Sequence, residues 1–119
     1  MTPQQIDLVI YQGSSFKKSW EITDKDTGDP IDLTGYTARM QIRAKLKDVD
    51  FVAELTTENG GITITVTGTE TTMALYISAT GTATIASSSG IYDLELVDTS
   101  DDVYRFMQGD VEISKEVTR

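Results

Sequence analysis

The chain has 119 residues, 39% of them apolar and 24% charged, with a formal charge of −9 and neither cysteine nor histidine. That length closes one hydrophobic core and not two, so a single domain over residues 1–119 is expected. The missing residue types exclude disulfide staples, thiolate and imidazole metal sites, cysteine nucleophiles and any Ser-His-Asp triad, and the acidic surplus repels a nucleic-acid backbone.

No apolar run approaches the roughly 20 residues needed to cross a bilayer, and Met1 to Gln5 shows neither the basic region nor the apolar stretch of a signal peptide. The expectation is a soluble protein made in the cytoplasm, with no membrane or nucleic-acid partner, no cofactor and no metal.

Period-2 alternation recurs along the chain. Ile6, Leu8 and Ile10 form the first apolar set, then Phe16, Lys18, Trp20 and Ile22, in which Lys18 is the exception. Its placement near a strand end would let the ammonium reach water. Tyr36, Ala38, Met40, Ile42, Ala44 and Leu46 form a longer set, followed by Phe51, Ala53 and Leu55, by Ile62, Ile64 and Val66, and by Met73, Leu75 and Ile77. Tyr92, Leu94 and Leu96, then Val111 and Ile113, complete the series. Each set predicts a half-buried strand, and the threonines of the middle third suit a pleated surface.

Turn residues punctuate these runs. Asp24 to Pro30, Glu58 to Gly61 and Asp98 to Asp102 each predict a hairpin, and Ser78 to Ser89 predicts a short helical turn crossing between sheets. Seven to nine short strands predict an all-β, two-sheet antiparallel sandwich. Ser88-Ser89-Gly90-Ile91-Tyr92-Asp93-Leu94 resembles the tyrosine corner of immunoglobulin-like domains, although Trp20, on the second strand, is not where a strict immunoglobulin domain carries its core tryptophan. By this analogy the Tyr92 hydroxyl bonds a backbone group just upstream, near the 78–89 crossing. Shared strand parity predicts a core containing Trp20, Met40, Ile42, Leu75, Tyr92, Leu94 and Ile113.

Four places carry potential chemistry. Asp24, Asp26 and Asp29 around Gly28 form a fragment of a calcium loop, but the glycine comes too early and the terminal bidentate glutamate is missing, so a plain turn is expected. Asp93 and Glu95 share one strand face at a spacing near that of a glycosidase pair, with a solvated face as the simpler reading. Arg39, Gln41, Arg43, Lys45 and Lys47 place four cations on one face of one strand. These are either neutralised by cross-strand acids such as Glu54, Glu95 or Asp93, or they meet an acidic partner surface, including that of a second copy. Nucleic acid is the poorest match, because no aromatic residue interleaves with the cations. Tyr11, Tyr36, Tyr76 and Tyr104 belong to core, rim or contact surface. No glycine spacing of a dinucleotide or phosphate loop occurs.

Several motifs stand together in order. They are Gln12-Gly13 with Phe16 and Trp20, Ile31-Asp32-Leu33-Thr34-Gly35-Tyr36, Met40-Gln41-Ile42-Arg43, Gly90 to Leu96, Arg105 to Val111, and Glu116-Val117-Thr118-Arg119. The set resembles a group of small tailed-bacteriophage structural proteins of the tail and baseplate, similar to the N-terminal domains of baseplate upper proteins. The resemblance implies a β-sandwich used as a non-enzymatic assembly module in the virion, synthesised in the bacterial host cytoplasm and contacting other phage structural proteins or further copies of itself. It carries no catalytic residues. Head decoration is a variant of that expectation, and a carbohydrate- or receptor-binding sandwich is the alternative.

Overall fold

Alternating side chains build nine strands and one short helix in the computed structural model, which describes residues 2–118. The strands are β1 (Gln4–Gln5), β2 (Leu8–Tyr11), β3 (Phe16–Glu21), β4 (Thr37–Arg43), β5 (Ala53–Thr56), β6 (Ile62–Val66), β7 (Thr71–Ile77), β8 (Ser89–Val97) and β9 (Val103–Ser114), with α1 (Ala79–Ala83) between β7 and β8. The larger sheet runs β1-β9-β8-β4-β5, with β2 also on β9, and the smaller runs β3-β7-β6. Met40, Ile42, Leu94 and Leu96 of the larger sheet and Met73 and Leu75 of the smaller bury into one shared core, so the two sheets form the layered, all-β arrangement the alternation predicts. Among the described residues no helix is long and apolar enough to cross a membrane.

The sheets are not purely antiparallel. β1 and β2 both pair with β9 in parallel, at one constant register from Gln4↔Met107 to Tyr11↔Ser114. Two of the three predicted hairpins also change character. Asp98–Asp102 does close β8 onto β9, but Glu58–Gly61 carries the chain from β5 in one sheet to β6 in the other. Asp24–Pro30 folds back only as far as a bridge between Thr23 and Pro30 before the chain crosses to β4. The 78–89 crossing is as expected: Ser78 caps α1 by accepting from the Gly81 N–H. Buried Thr82 donates to the Ser14 carbonyl at 2.8 Å and accepts from Gly13 N–H at 3.0 Å, tying the crossing to the β2–β3 turn.

Six of the seven predicted core residues are buried, while Trp20 is half-buried at the periphery. Its strand is the edge of a three-stranded sheet, which leaves one side of the indole without cover. Lys18 likewise sits mid-strand on that edge, opposite Leu75, and is exposed. On β9 the pairing slips, with Leu94 opposite Met107 but Glu95 opposite Arg105, so Phe106 is an extra, buried residue. This bulge reverses strand parity halfway along β9.

The Tyr92 hydroxyl does reach a backbone carbonyl, but it is that of Ile6, 2.6 Å away in the N-terminal segment, and not one near the 78–89 crossing. Tyr92 lies directly opposite Gly109 on β9, and a Cβ at Gly109 would collide with the Ile6 carbonyl oxygen. The missing side chain lets the first strand come close enough for the bond. Ile6 N–H donates to the Gln108 carbonyl at 2.9 Å, and the Asp7 carboxylate accepts from the Asp110 N–H at 3.0 Å.

These contacts shift titrations in both directions. Asp7 lies below the usual carboxylate range because Asp110 N–H and the Gln5 amide donate to it, and Asp32 because the Thr34 hydroxyl and N–H do. At Asp98 partial desolvation pushes upward but is outweighed by the Asp102 and Ser100 N–H groups and the Tyr104 hydroxyl. Burial, with the nearby Asp7 charge, pushes Tyr92 up to about 12.

Tyr92→Phe is expected to cost about 1 kcal/mol and Gly109→Ala about 1–3 kcal/mol by overpacking. The double variant should lose less than the sum in denaturant titration, because both act on one junction. A folded-state phenol pKa raised above 10 gives stability that is complete below pH 10 and lost as pH rises from there through about 12. Tyr92→Phe should therefore flatten the alkaline branch of the melting-temperature profile. The depressed aspartates act oppositely: their contribution is present above 3.8 and lost as pH falls below it. Asp7→Asn, which can still accept the bond but does not titrate, should make the acid branch shallower.

Candidate functional site

The outward residues of β4 face solvent because Ala38, Met40 and Ile42 occupy the inward positions and are buried. Arg39 stands opposite Glu95 on β8, and Gln41 stands between Asp93 on β8 and Glu54 on β5. Arg39 Nε meets Glu95 Oε1 at 2.8 Å, Gln41 Nε2 donates to Glu54 Oε2 at 2.8 Å, and Arg105 Nε lies 3.5 Å from Asp93 Oδ2. Arg43 turns along its own strand instead. Its guanidinium donates to the Val49 carbonyl at 2.7 Å, the Asp48 carbonyl at 3.2 Å and the Gln41 side-chain oxygen.

The five-residue stripe is therefore divided. Arg39 is neutralised across the sheet, and Arg43 braces the loop that follows. Lys45 and Lys47 lie beyond the end of β4 in the 44–52 loop and are exposed; neither ammonium has a carboxylate within 4 Å among the described residues, while the Lys45 backbone N–H donates to Asp48 Oδ2 at 3.2 Å. β4 stops at Arg43 because the sheet offers nothing further to pair with: Val52 N–H already returns to the Ile42 carbonyl at 2.7 Å. Leu46, read from alternation as an inward residue, is 82% exposed, and Val49 is 91% exposed on the same loop. Alternation missed this display. Its signal was Lys45-Leu46-Lys47-Asp48-Val49-Asp50, where charges occupy both strand parities.

Two hollows open on the surface, the first on this face and the second away from it. One, of about 480 Å³, lies over the polar mosaic of Gln41, Arg43, Asp93, Glu95, Arg105 and Gln108, with Leu46 at its margin. The other, of about 380 Å³, has an apolar floor of Trp20, Ile22, Ile31, Phe106 and Met107 and acidic residues Glu21, Asp24 and Asp26 around it.

The remaining candidates have simpler roles. Asp24 Oδ1 accepts from the N–H groups of Asp26 and Thr27, at 2.8 and 3.1 Å, as a self-capped turn does. Among the described residues no three acidic side chains, Asp24, Asp26 and Asp29 included, are grouped to hold a metal ion. Asp93 and Glu95 are each engaged by a different arginine. Tyr11 and Tyr76 are exposed, whereas Tyr36 and Tyr104 are half-buried and Tyr104 donates to Asp98 at 3.1 Å. Compared with known proteins, the chain matches no family model and no curated sequence.

An exposed ion pair is worth about 0–1 kcal/mol, so Arg39→Gln should change stability within that range. Arg43→Gln releases two loop carbonyls as well, and should speed limited tryptic cleavage after Lys45 and Lys47 severalfold, with Arg39→Gln as the unaffected control.

Proposed function

We propose that this chain is a non-enzymatic structural module of a tailed-bacteriophage particle, placed in the tail, baseplate or tail-fibre attachment region, and built on an immunoglobulin-like topology. The observation that carries this reading is where the phage-like motifs fall. Asp32-Leu33-Thr34-Gly35 forms the turn into β4, with Asp32 accepting from Thr34 and Leu33 buried. Tyr92 and Gly109, from two further motifs, make the junction with Ile6. The motifs thus coincide with the joints of the fold, which supports shared architecture; shared function is the step by analogy. The strand order supports the topology: β4, β8 and β9 with β5 outside them, facing β3, β7 and β6, follows the arrangement of a variable-type domain, with Tyr92 on the strand that carries the corner tyrosine.

A carbohydrate-binding role is kept as the second reading because Trp20 is half-exposed over a hollow edged by Asp24 and Asp26. An exposed ring beside carboxylates is a sugar-recognition pattern.

Quantitative mass spectrometry of purified particles of the encoding phage tests the first reading. The chain should occur in a fixed copy number per virion; its confinement to the soluble lysate would overturn the proposal. Glycan-array binding that Trp20→Ala abolishes would favour the second.

A further inference from the structure

Asn59 is the only asparagine in the chain, and Gly60 follows it. A side-chain amide is lost most readily in this sequence, because a residue without a Cβ leaves its own backbone nitrogen free to approach the amide carbon. The pair lies in the exposed turn between β5 and β6, with Gly60 at φ +82°.

In the fold that amide is fully engaged with backbone. Asn59 Oδ1 accepts from the Thr56 N–H at 2.9 Å and from the Gly61 N–H at 2.8 Å, while Nδ2 donates to the Glu54 carbonyl at 3.0 Å. β5 pairs with β4 alone, and the bond from Thr57 N–H to the Ala38 carbonyl marks the side that faces β4, so alternation turns the backbone groups of Glu54 and Thr56 toward the open edge. The carboxamide therefore covers that edge as a peptide group of a further strand would, accepting from one residue and donating to the carbonyl two residues before it. Only an amide combines both actions; an ionised carboxylate accepts and does not donate.

We propose that Asn59 is a modification site, at which spontaneous deamidation turns the amide that caps the edge of β5 into a carboxylate that leaves the edge open, and that the folded turn restrains this reaction. The Gly60 nitrogen attacks Asn59 Cγ, a C–N bond closes a cyclic imide, and Nδ2 departs as ammonia with the proton from Gly60. Water then breaks one C–N bond of the ring to give aspartate or isoaspartate, and the acid proton passes to the ammonia. The aspartate product sets an oxygen against the Glu54 carbonyl, which loses its donor, and places a new negative charge beside Glu58. The isoaspartate product adds a methylene to the main chain next to Gly61, which packs so closely on β5 that a Cβ there would stand 2.8 Å from the Leu55 Cα. Restraint has the same origin as the cap, because ring closure moves an amide held by three backbone groups and takes Nδ2 away from Glu54.

Peptide mapping by mass spectrometry of the purified full chain, aged at mildly alkaline pH with and without denaturing urea, tests the restraint. Deamidation should appear at Asn59 in both samples and at least tenfold more slowly in the folded one; equal or faster loss in the folded chain would show that the turn does not hold the amide. Urea titration of Asn59→Asp tests the cap, since this change keeps the size and the acceptor oxygen and removes the donor to Glu54. Its midpoint should fall below that of the wild type, and that of Asn59→Ala, which removes every bond of the side chain, should fall further. An Asn59→Asp midpoint equal to the wild type overturns the cap. Should either variant fail to fold, chain aged to partial deamidation while folded gives the same comparison, because the modified fraction should unfold at lower urea than the unmodified fraction of the same sample, and coincident unfolding overturns the proposal.

Discussion

The hydrogen bond from the Tyr92 hydroxyl to the Ile6 carbonyl, passing over Gly109, joins the break between β1 and β2 to the two longest strands. Its importance follows from what the first strand contributes. Leu8 and Ile10 are among the most buried side chains, yet β1 and β2 together supply only six residues of strand and touch the sheet on one side alone. Short edge strands fray unless fixed. Here the fixing is done in the middle of the segment, where the side chains of Tyr92 and Asp7 and the Ile6 N–H satisfy backbone groups that the irregular backbone at residues 6 and 7 would otherwise leave unpaired. A chain without disulfides has to close its core in this way, by hydrogen bonding and packing alone.

The same economy governs the crossings between sheets. A connection over the end of a sandwich buries backbone that has no ladder partner, and polar side chains take the place of the ladder. Thr71 donates to the Ile31 carbonyl at 2.7 Å, and the Lys115 ammonium gathers the carbonyls of Ile85, Ala86 and Ser87 at the end of the crossing that follows α1. Gln12 Nε2 donates to the same Ile85 carbonyl at 2.9 Å while its Oε1 accepts from the Glu116 N–H at 3.0 Å. One carbonyl thus links the N-terminal strand, the crossing and the C-terminal end, so the ends of the sandwich are held by few groups, each with several partners.

How much of this was legible follows from the range over which each signal acts. Alternation is local, and it identified the inward sets of β2, β4, β7 and β8. It failed where tertiary context changes parity. The bulge at Phe106 shifts β9 by one residue, so only Val111 and Ile113 of its twelve residues were readable. Leu46 kept the rhythm of β4 after the sheet had ended. The tyrosine-corner motif correctly gave a buried tyrosine bonded to backbone, but a partner 86 positions away in sequence leaves no local trace. Within the candidate site, the cross-strand pairing of Arg39 with Glu95 was among the readings of the stripe, whereas the brace from Arg43 to the 44–52 loop depends on loop geometry that composition does not encode. The residues with no visible motif, Ile62 to Val66, are notable for what they lack, and a missing charge becomes informative only once the strand is known to lie on an edge.

The charges of the molecule can then be understood through their positions more than their sum. On the outer face of the larger sheet, acids and bases alternate between neighbouring strands and largely cancel, which keeps that face soluble without committing it to a partner of one sign. On the edges, charge works against pairing, because a new strand would have to bury it: Lys18 at an inward position and Asp7 at a break each make that addition costly. Two places escape both patterns, the lysine-bearing loop after β4 and the uncharged β6. The loop sets Lys45 and Lys47 beside Asp48 and Asp50, so its charges balance locally, and β6 pairs on one side alone, with β7.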